Sequence, residues 1–195
     1  MKIAILVIIL GLAVSKIAVK APEELMNLYN NQNFTLTTSY ANFGIIPYGK
    51  SLKGWIYYDP DNTNGCNPFG DFDFNWNDTK SSVIPVILVK RGDCSFVKKV
   101  RNIERAGGQA GIVIDDKTED VQYVIMSDDG TGSGIRIPSM LIGKEDGKRL
   151  VAYMEKYGGT PSTKSKKIDD DDVEPDDTKQ PSGVAWAPVY AKEIQ

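Results

Sequence analysis

Apolar positions in this chain come in short blocks separated by polar turns, and their period changes from block to block. From Val83 to Val89 they are nearly continuous, the mark of a buried strand, with Pro85 near the start where a missing N–H is tolerated. The run stops at Lys90-Arg91-Gly92-Asp93-Cys94, a charged, glycine-containing turn. Phe96, Val97, Val100, Ile103 and Ala106 then recur at helical spacing, which predicts a helix over 95–106 capped by Asp93 or Ser95 and ended by Gly107-Gly108.

Further along, 111–115, 121–126 and 137–142 read as strands, the last opened by Pro138. Ser127 to Gly134 reads as a flexible loop, and 147–157 as a second helix with Leu150, Val151, Met154 and Tyr157 on one face. Upstream, residues 40–59 read as β, with Ser51–Tyr58 the best strand. The polar stretch 59–80 carries Phe69, Phe72, Phe74 and Trp76, which either plug the domain or line a ligand groove. Strands alternating with two helices predict an α+β, mixed-sheet domain over 40–157.

The ends differ in character. Lys2 followed by the apolar run Ile3–Val14 and the small residues Ala13-Val14-Ser15 read as a signal peptide over 1–15; the run is too short to span a bilayer comfortably. An uncleaved anchor is the alternative. Residues 16–39 read as an N-terminal arm that includes a short helix or a loose segment. Residues 158–195 read as an acidic, largely disordered tail, because seven of the nine residues from Asp169 to Asp177 are acids that repel one another. Trp186 and Tyr190 beyond that block are candidates to dock back on the domain.

A secretory leader changes the meaning of the cysteines. There are two, Cys66 and Cys94, and an even count in an oxidising compartment favours a disulfide over two buried thiols. Asn33-Phe34-Thr35 and Asn77-Asp78-Thr79 are glycosylation sequons that fit the same compartment. No second segment is long and apolar enough to cross a membrane, so the mature chain is expected to have no membrane span.

Composition narrows the chemistry. Net charge is −3, and no clustered Lys/Arg face is evident, Lys98, Lys99 and Arg101 being read as the outer face of a helix; nucleic acid is not an expected partner. The chain contains no histidine, which excludes Ser-His-Asp and Cys-His catalysis and His-based zinc sites within it. Asp115-Asp116 and Asp128-Asp129 are paired carboxylates without the flanking residues of an aspartic protease. Asp59 to Gly65 resembles a calcium loop only superficially, since its glycine is one place late. No catalytic residue, cofactor or metal is expected. Arg91 can offer a bidentate fork to a peptide carboxylate; its alternative is a surface arginine paired with a nearby acid such as Asp93.

Leu88-Val89-Lys90-Arg91-Gly92-Asp93-Cys94-Ser95-Phe96, Ala106-Gly107-Gly108, Gly111-Ile112-Val113-Ile114 and Ile137-Pro138-Ser139-Met140-Leu141-Ile142 together resemble a protease-associated (PA) domain. Ala41-Asn42-Phe43-Gly44-Ile45-Ile46-Pro47-Tyr48-Gly49 and Cys66-Asn67-Pro68-Phe69 resemble the amino-terminal module of vacuolar sorting receptors. The resemblance implies a partly open β-barrel or sandwich with two flanking helices and no activity of its own. It also implies a ligand-contacting turn of Arg91, Gly92, Asp93 and Cys94, with Lys90 where those receptors usually carry an acid. The expected role is a non-catalytic, sorting-receptor-like module of the secretory, vacuolar or extracellular lumen that binds a peptide or protein. The alternative is an accessory domain packing on a protease or a membrane-protein ectodomain. Such receptors continue into Cys-rich repeats, a membrane helix and a cytosolic tail, so this module alone is not expected to couple cargo to a coat.

Overall fold

A computed structural model of the chain describes residues 14–19, 23–29, 35–47, 51–70, 83–117, 120–157 and 185–194. Its strands are β1 (Val14–Val19), β2 (Thr35–Tyr40), β3 (Ser51–Tyr58), β4 (Val83–Lys90), β5 (Ala110–Ile114), β6 (Ser139–Ile142) and β7 (Ala185–Ile194). Its helices are α1 (Glu23–Asn27), α2 (Phe96–Arg105) and α3 (Lys144–Tyr157). The strands pair in a ring, β1-β2-β6-β5-β4-β3-β7, which closes because β7 pairs with both β1 and β3. β3, β4, β5 and β6 run parallel; every other pairing is antiparallel. The expected α+β mixed-sheet barrel is the fold that forms.

The continuous apolar run of β4 has a simple cause: both of its faces are covered. Val86 and Leu88 join Ile56, Ile112, Met140 and Ile142 in one core, which α1 and α3 extend through Leu25, Leu150 and Met154. Ile87 and Val89 face the other way, into a second core with Val113, Leu141 and the α2 residues Val97, Val100 and Ile103. The period of two along the strand thus divides one sequence block between two cores. α3 lies close against β5 at Gly147, where a Cβ would sit 2.1 Å from Ile114 Cγ2.

The structure departs from the sequence-based expectation at both ends. Residues 16–39 are not a simple arm: β1 and β2 are staves of the barrel, and Ile17, Val19 and Leu36 are core residues. Within the stretch 158–195, residues 185–194 form β7, which pairs along the whole of β3. Such long-range pairing leaves no local signature. Residues 121–126 form no strand; Val121–Tyr123 is a single 3-10 turn whose Asp120 cap accepts from the Gln122 amide, followed by an isolated bridge from Met126 to Ala41. Tyr123 and Ile125, expected on a strand, are exposed. Asn33 and Asn77 of the two sequons, the aromatics at 72, 74 and 76, the acidic block and residues 1–13 of the leader lie outside the described residues, while Val14 and Ser15 open β1.

Candidate functional site

Arg91, Asp115-Asp116 and Lys144 each follow the carboxyl end of a neighbouring parallel strand, β4, β5 and β6. The crevice outside the carboxyl ends of parallel strands is where α/β sheets bind ligands, because side chains leaving several strands converge there. The strand ends are held in step: the Arg91 amide donates to Ile114 O at 2.9 Å, and the Asp115 amide to Ile142 O at 2.9 Å. Between these ends and α3 lies an open groove of about 450 Å³, lined by Lys90, Arg91, Asp116, Lys144, Lys148 and Glu155 among others.

Arg91 faces this groove but is not a free cation. Its Nη1 donates to Asp115 Oδ1 at 2.7 Å, and its Nε lies 3.4 Å from Asp116 Oδ1. The Asp115 side chain is fully buried, that of Arg91 a quarter exposed, and that of Asp116 56% exposed. Burial by itself would raise the Asp115 pKa. The hydrogen bond and charge of Arg91, with the amides of Lys117 and Asp116, outweigh it and hold the carboxyl below its usual range. The guanidinium also lies 5.4 Å from the centre of the Phe96 ring, within reach of a cation–π contact. Asp93, the example of a nearby acid in the alternative reading of Arg91, points elsewhere and accepts from Asn64 Nδ2 at 2.6 Å.

Local chemistry shapes the turn itself. Gly92 and Asp93 both have positive φ, 110° and 64°, and Asp93 is the one non-glycine residue with positive φ among the described residues. The Cys94 amide closes the turn onto Gly92 O at 2.8 Å, and Ser95 caps α2 by accepting from the Lys98 amide. Cys94 is bonded to Cys66, as the cysteine count predicts. The disulfide ties the turn to the loop 59–70, which is fastened again where the Lys90 amide donates to Thr63 O at 2.7 Å.

Two α2 side chains read as solvent-facing do structural work. Lys99 is fully buried, not on an outer face. Its Nζ donates to Asn64 O and Gly92 O, each at 2.6 Å, and lies 3.4 Å from Cys66 Sγ. Burial pushes its pKa down to about 8, against the pull of the nearby Asp93 carboxylate. Arg101 reaches over to the carbonyls of Thr131 and Ser133. The 127–134 loop, expected to be flexible, is instead folded on itself: Asp128 Oδ1 accepts from the Gly130 and Gly132 amides, and Asp129 Oδ1 from that of Thr131. Asn102 completes the frame, its Nδ2 donating to Gly65 O and Asn67 O at 3.0 and 3.1 Å. Helical spacing cannot reveal that Lys99 and Asn102 turn inward, because each meets a carbonyl of a loop more than thirty residues upstream.

Among the described residues no group of three or more His, Cys, Asp or Glu side chains is placed to hold a metal ion, and no helix is long and apolar enough to cross a membrane. Residues 52–150 match the PA domain family, and the chain belongs to it. A PA domain alone is not catalytic. Among curated proteins the chain is 32% identical over 141 residues to vacuolar-sorting receptor 1 of Pisum sativum, a match covering 70% of this chain and 21% of that receptor. It is 28% identical over 153 residues to the ER degradation-enhancing alpha-mannosidase-like protein 3 of Homo sapiens, covering 75% of this chain and 16% of that protein. The chain thus spans about a fifth of the length of the receptor relatives it matches. Among solved structures, an aminopeptidase from Aneurinibacillus sp. strain AM-1 aligns with a TM-score of 0.48 at 13% identity, covering 94% of this chain and 30% of that one.

Proposed function

We propose that this PA domain works in the lumen of the secretory or endomembrane system and binds an extended peptide segment of a protein ligand at Arg91, Gly92, Asp93 and Cys94. The observation that carries this reading is the placement of a disulfide-anchored turn beside an open groove at the carboxyl ends of three parallel strands. A turn fixed by a cystine and a buried lysine has little conformational entropy left to lose on binding. The exposed edge of the Arg91 guanidinium is the donor that a ligand carbonyl or carboxylate needs. Likeness to sorting receptors supports cargo recognition as the purpose of that contact.

A second reading has its own support. The mannosidase-like relative is a much longer protein, of which this chain matches 16%, as expected of an accessory domain within a larger assembly. Fluorescence anisotropy of the purified, oxidised chain against a library of extended peptides separates the two. Arg91→Lys is the comparison variant, because it keeps the charge facing Asp115 and loses the bidentate fork. Saturable binding that weakens about tenfold or more in Arg91→Lys supports recognition at the turn. A folded, disulfide-intact chain that binds no peptide, but co-purifies with one stoichiometric protein, overturns it in favour of the accessory role.

A further inference from the structure

The Lys99 ammonium is placed as no ordinary cross-brace is. It sits in a fully buried position, 3.4 Å from one sulfur of the cystine, with Asn64 O and Gly92 O as its other two contacts. Its formal charge is therefore directed at Cys66 Sγ. Both cysteines are only partly buried. From this geometry we propose that the Cys66–Cys94 bond is a reducible switch in which Lys99 makes Cys66 the leaving thiolate, and that its cleavage loosens the Arg91 turn.

The step balances with a dithiol reductant. Its thiolate attacks Cys94 Sγ, the Cys66–Cys94 bond breaks, and the electron pair stays on Cys66 Sγ, where the ammonium stabilises it. The second thiol of the reductant then attacks its own sulfur in the mixed disulfide. The second thiol gives up its proton to water as it attacks, Cys94 leaves as a thiolate and takes a proton from water, and the reductant departs as a disulfide. Leaving-group acidity sets which sulfur departs, and a neighbouring lysine lowers a thiol's pKa. Among the described residues no ammonium or guanidinium is placed in the same way at Cys94; the neighbouring Asp93 disfavours a thiolate there, against the opposing pull of the α2 N-terminus that begins at Ser95. The new charge at Cys66 also competes with Gly92 O and Asn64 O for the same ammonium. Cleavage therefore loosens two of the fastenings between the turn and the loop 59–70 at once, leaving the Asn102 bonds and the barrel in place.

Two measurements on the unmodified chain test this. In the reduced protein, alkylation rates at each cysteine are followed against pH by peptide mapping. Cys66 is expected to reach half its maximal rate at least one pH unit below Cys94, equivalent to a tenfold difference in acidity. In the oxidised protein treated with one equivalent of a dithiol whose resolving thiol is blocked, the trapped mixed disulfide is expected at Cys94. Lys99→Met should bring the two alkylation profiles together and slow cleavage by about tenfold, while Lys99→Arg should retain the difference. Equal titration of the two cysteines, or trapping mainly at Cys66, overturns the proposal, and both results are readable even if Lys99→Met does not fold.

Discussion

Replacing Arg91 by methionine tests the electrostatic logic of the site. The substitution keeps much of the aliphatic stem and removes the guanidinium from a carboxylate whose side chain is fully buried. Breaking such a pair on one side typically costs about 3–5 kcal/mol, because the remaining charge is left desolvated. Arg91 is a quarter exposed and the Asp116 amide still donates to Asp115 Oδ1, so the lower end, about 3 kcal/mol, is expected. For a domain of this size that lowers Tm by roughly 6–12 °C. The pH dependence is the sharper signature. In the native chain Asp115 has a lowered pKa, so its contribution is present above the unfolded pKa and is lost as pH falls through the folded one. Without Arg91, burial dominates and raises that pKa, so the folded state gains a proton as pH falls and the deficit of the variant shrinks. Urea unfolding of both proteins at pH 7 and pH 4.5 measures this directly. A deficit of equal size at both pH values would refute the argument, as would failure of Arg91→Met/Asp115→Asn to recover most of the loss.

Four other outcomes follow from the same geometry. Gly147→Ala should cost about 1–3 kcal/mol by forcing α3 away from Ile114, and should disturb peptide binding in the groove, as read by thermal unfolding and anisotropy. Asn102→Ala strips the side-chain donor from Gly65 O and Asn67 O and should cost about 1–3 kcal/mol in chemical denaturation. Burial holds the Lys99 pKa down at about 8, below the ordinary lysine value of 10.5, so the unfolded chain binds more protons between those values. Stability should therefore rise with pH across that window, and Lys99→Met should remove that rise. Cys66→Ser/Cys94→Ser opens a loop with a sequence separation of 28 and should lower stability by about 3 kcal/mol in non-reducing urea titrations.

Some of these features are written locally and can be read from residues alone. The β4 strand, the turn after it, the Ser95-capped α2 helix and its glycine ending all depend on residues within a few positions of one another. The cystine was legible for a different reason: with two cysteines, one pairing is possible. Arg91 could be picked out as the cation of the turn, and α3 by its apolar face, although it begins at Lys144, earlier than its periodicity indicates.

What residues in sequence cannot show is which distant partners complete these local pieces. Arg91 was as compatible with Asp93 as with any other acid; the parallel register of β4 and β5 brings it to Asp115 and Asp116 instead. Lys99 lies among helix positions that look solvated, yet the loop 59–70 folds over it and supplies the Asn64 carbonyl while the Arg91 turn supplies that of Gly92, so a surface charge becomes a buried one. β1 and β7 carry no strand signal strong enough to stand alone, because most of their stabilisation comes from each other and from β3. Periodicity and capping are properties of a segment and follow from its own backbone geometry. Ion pairs, buried amines and barrel closure arise from contacts across tens of residues, where chain entropy is overcome only when the whole fold brings the groups together.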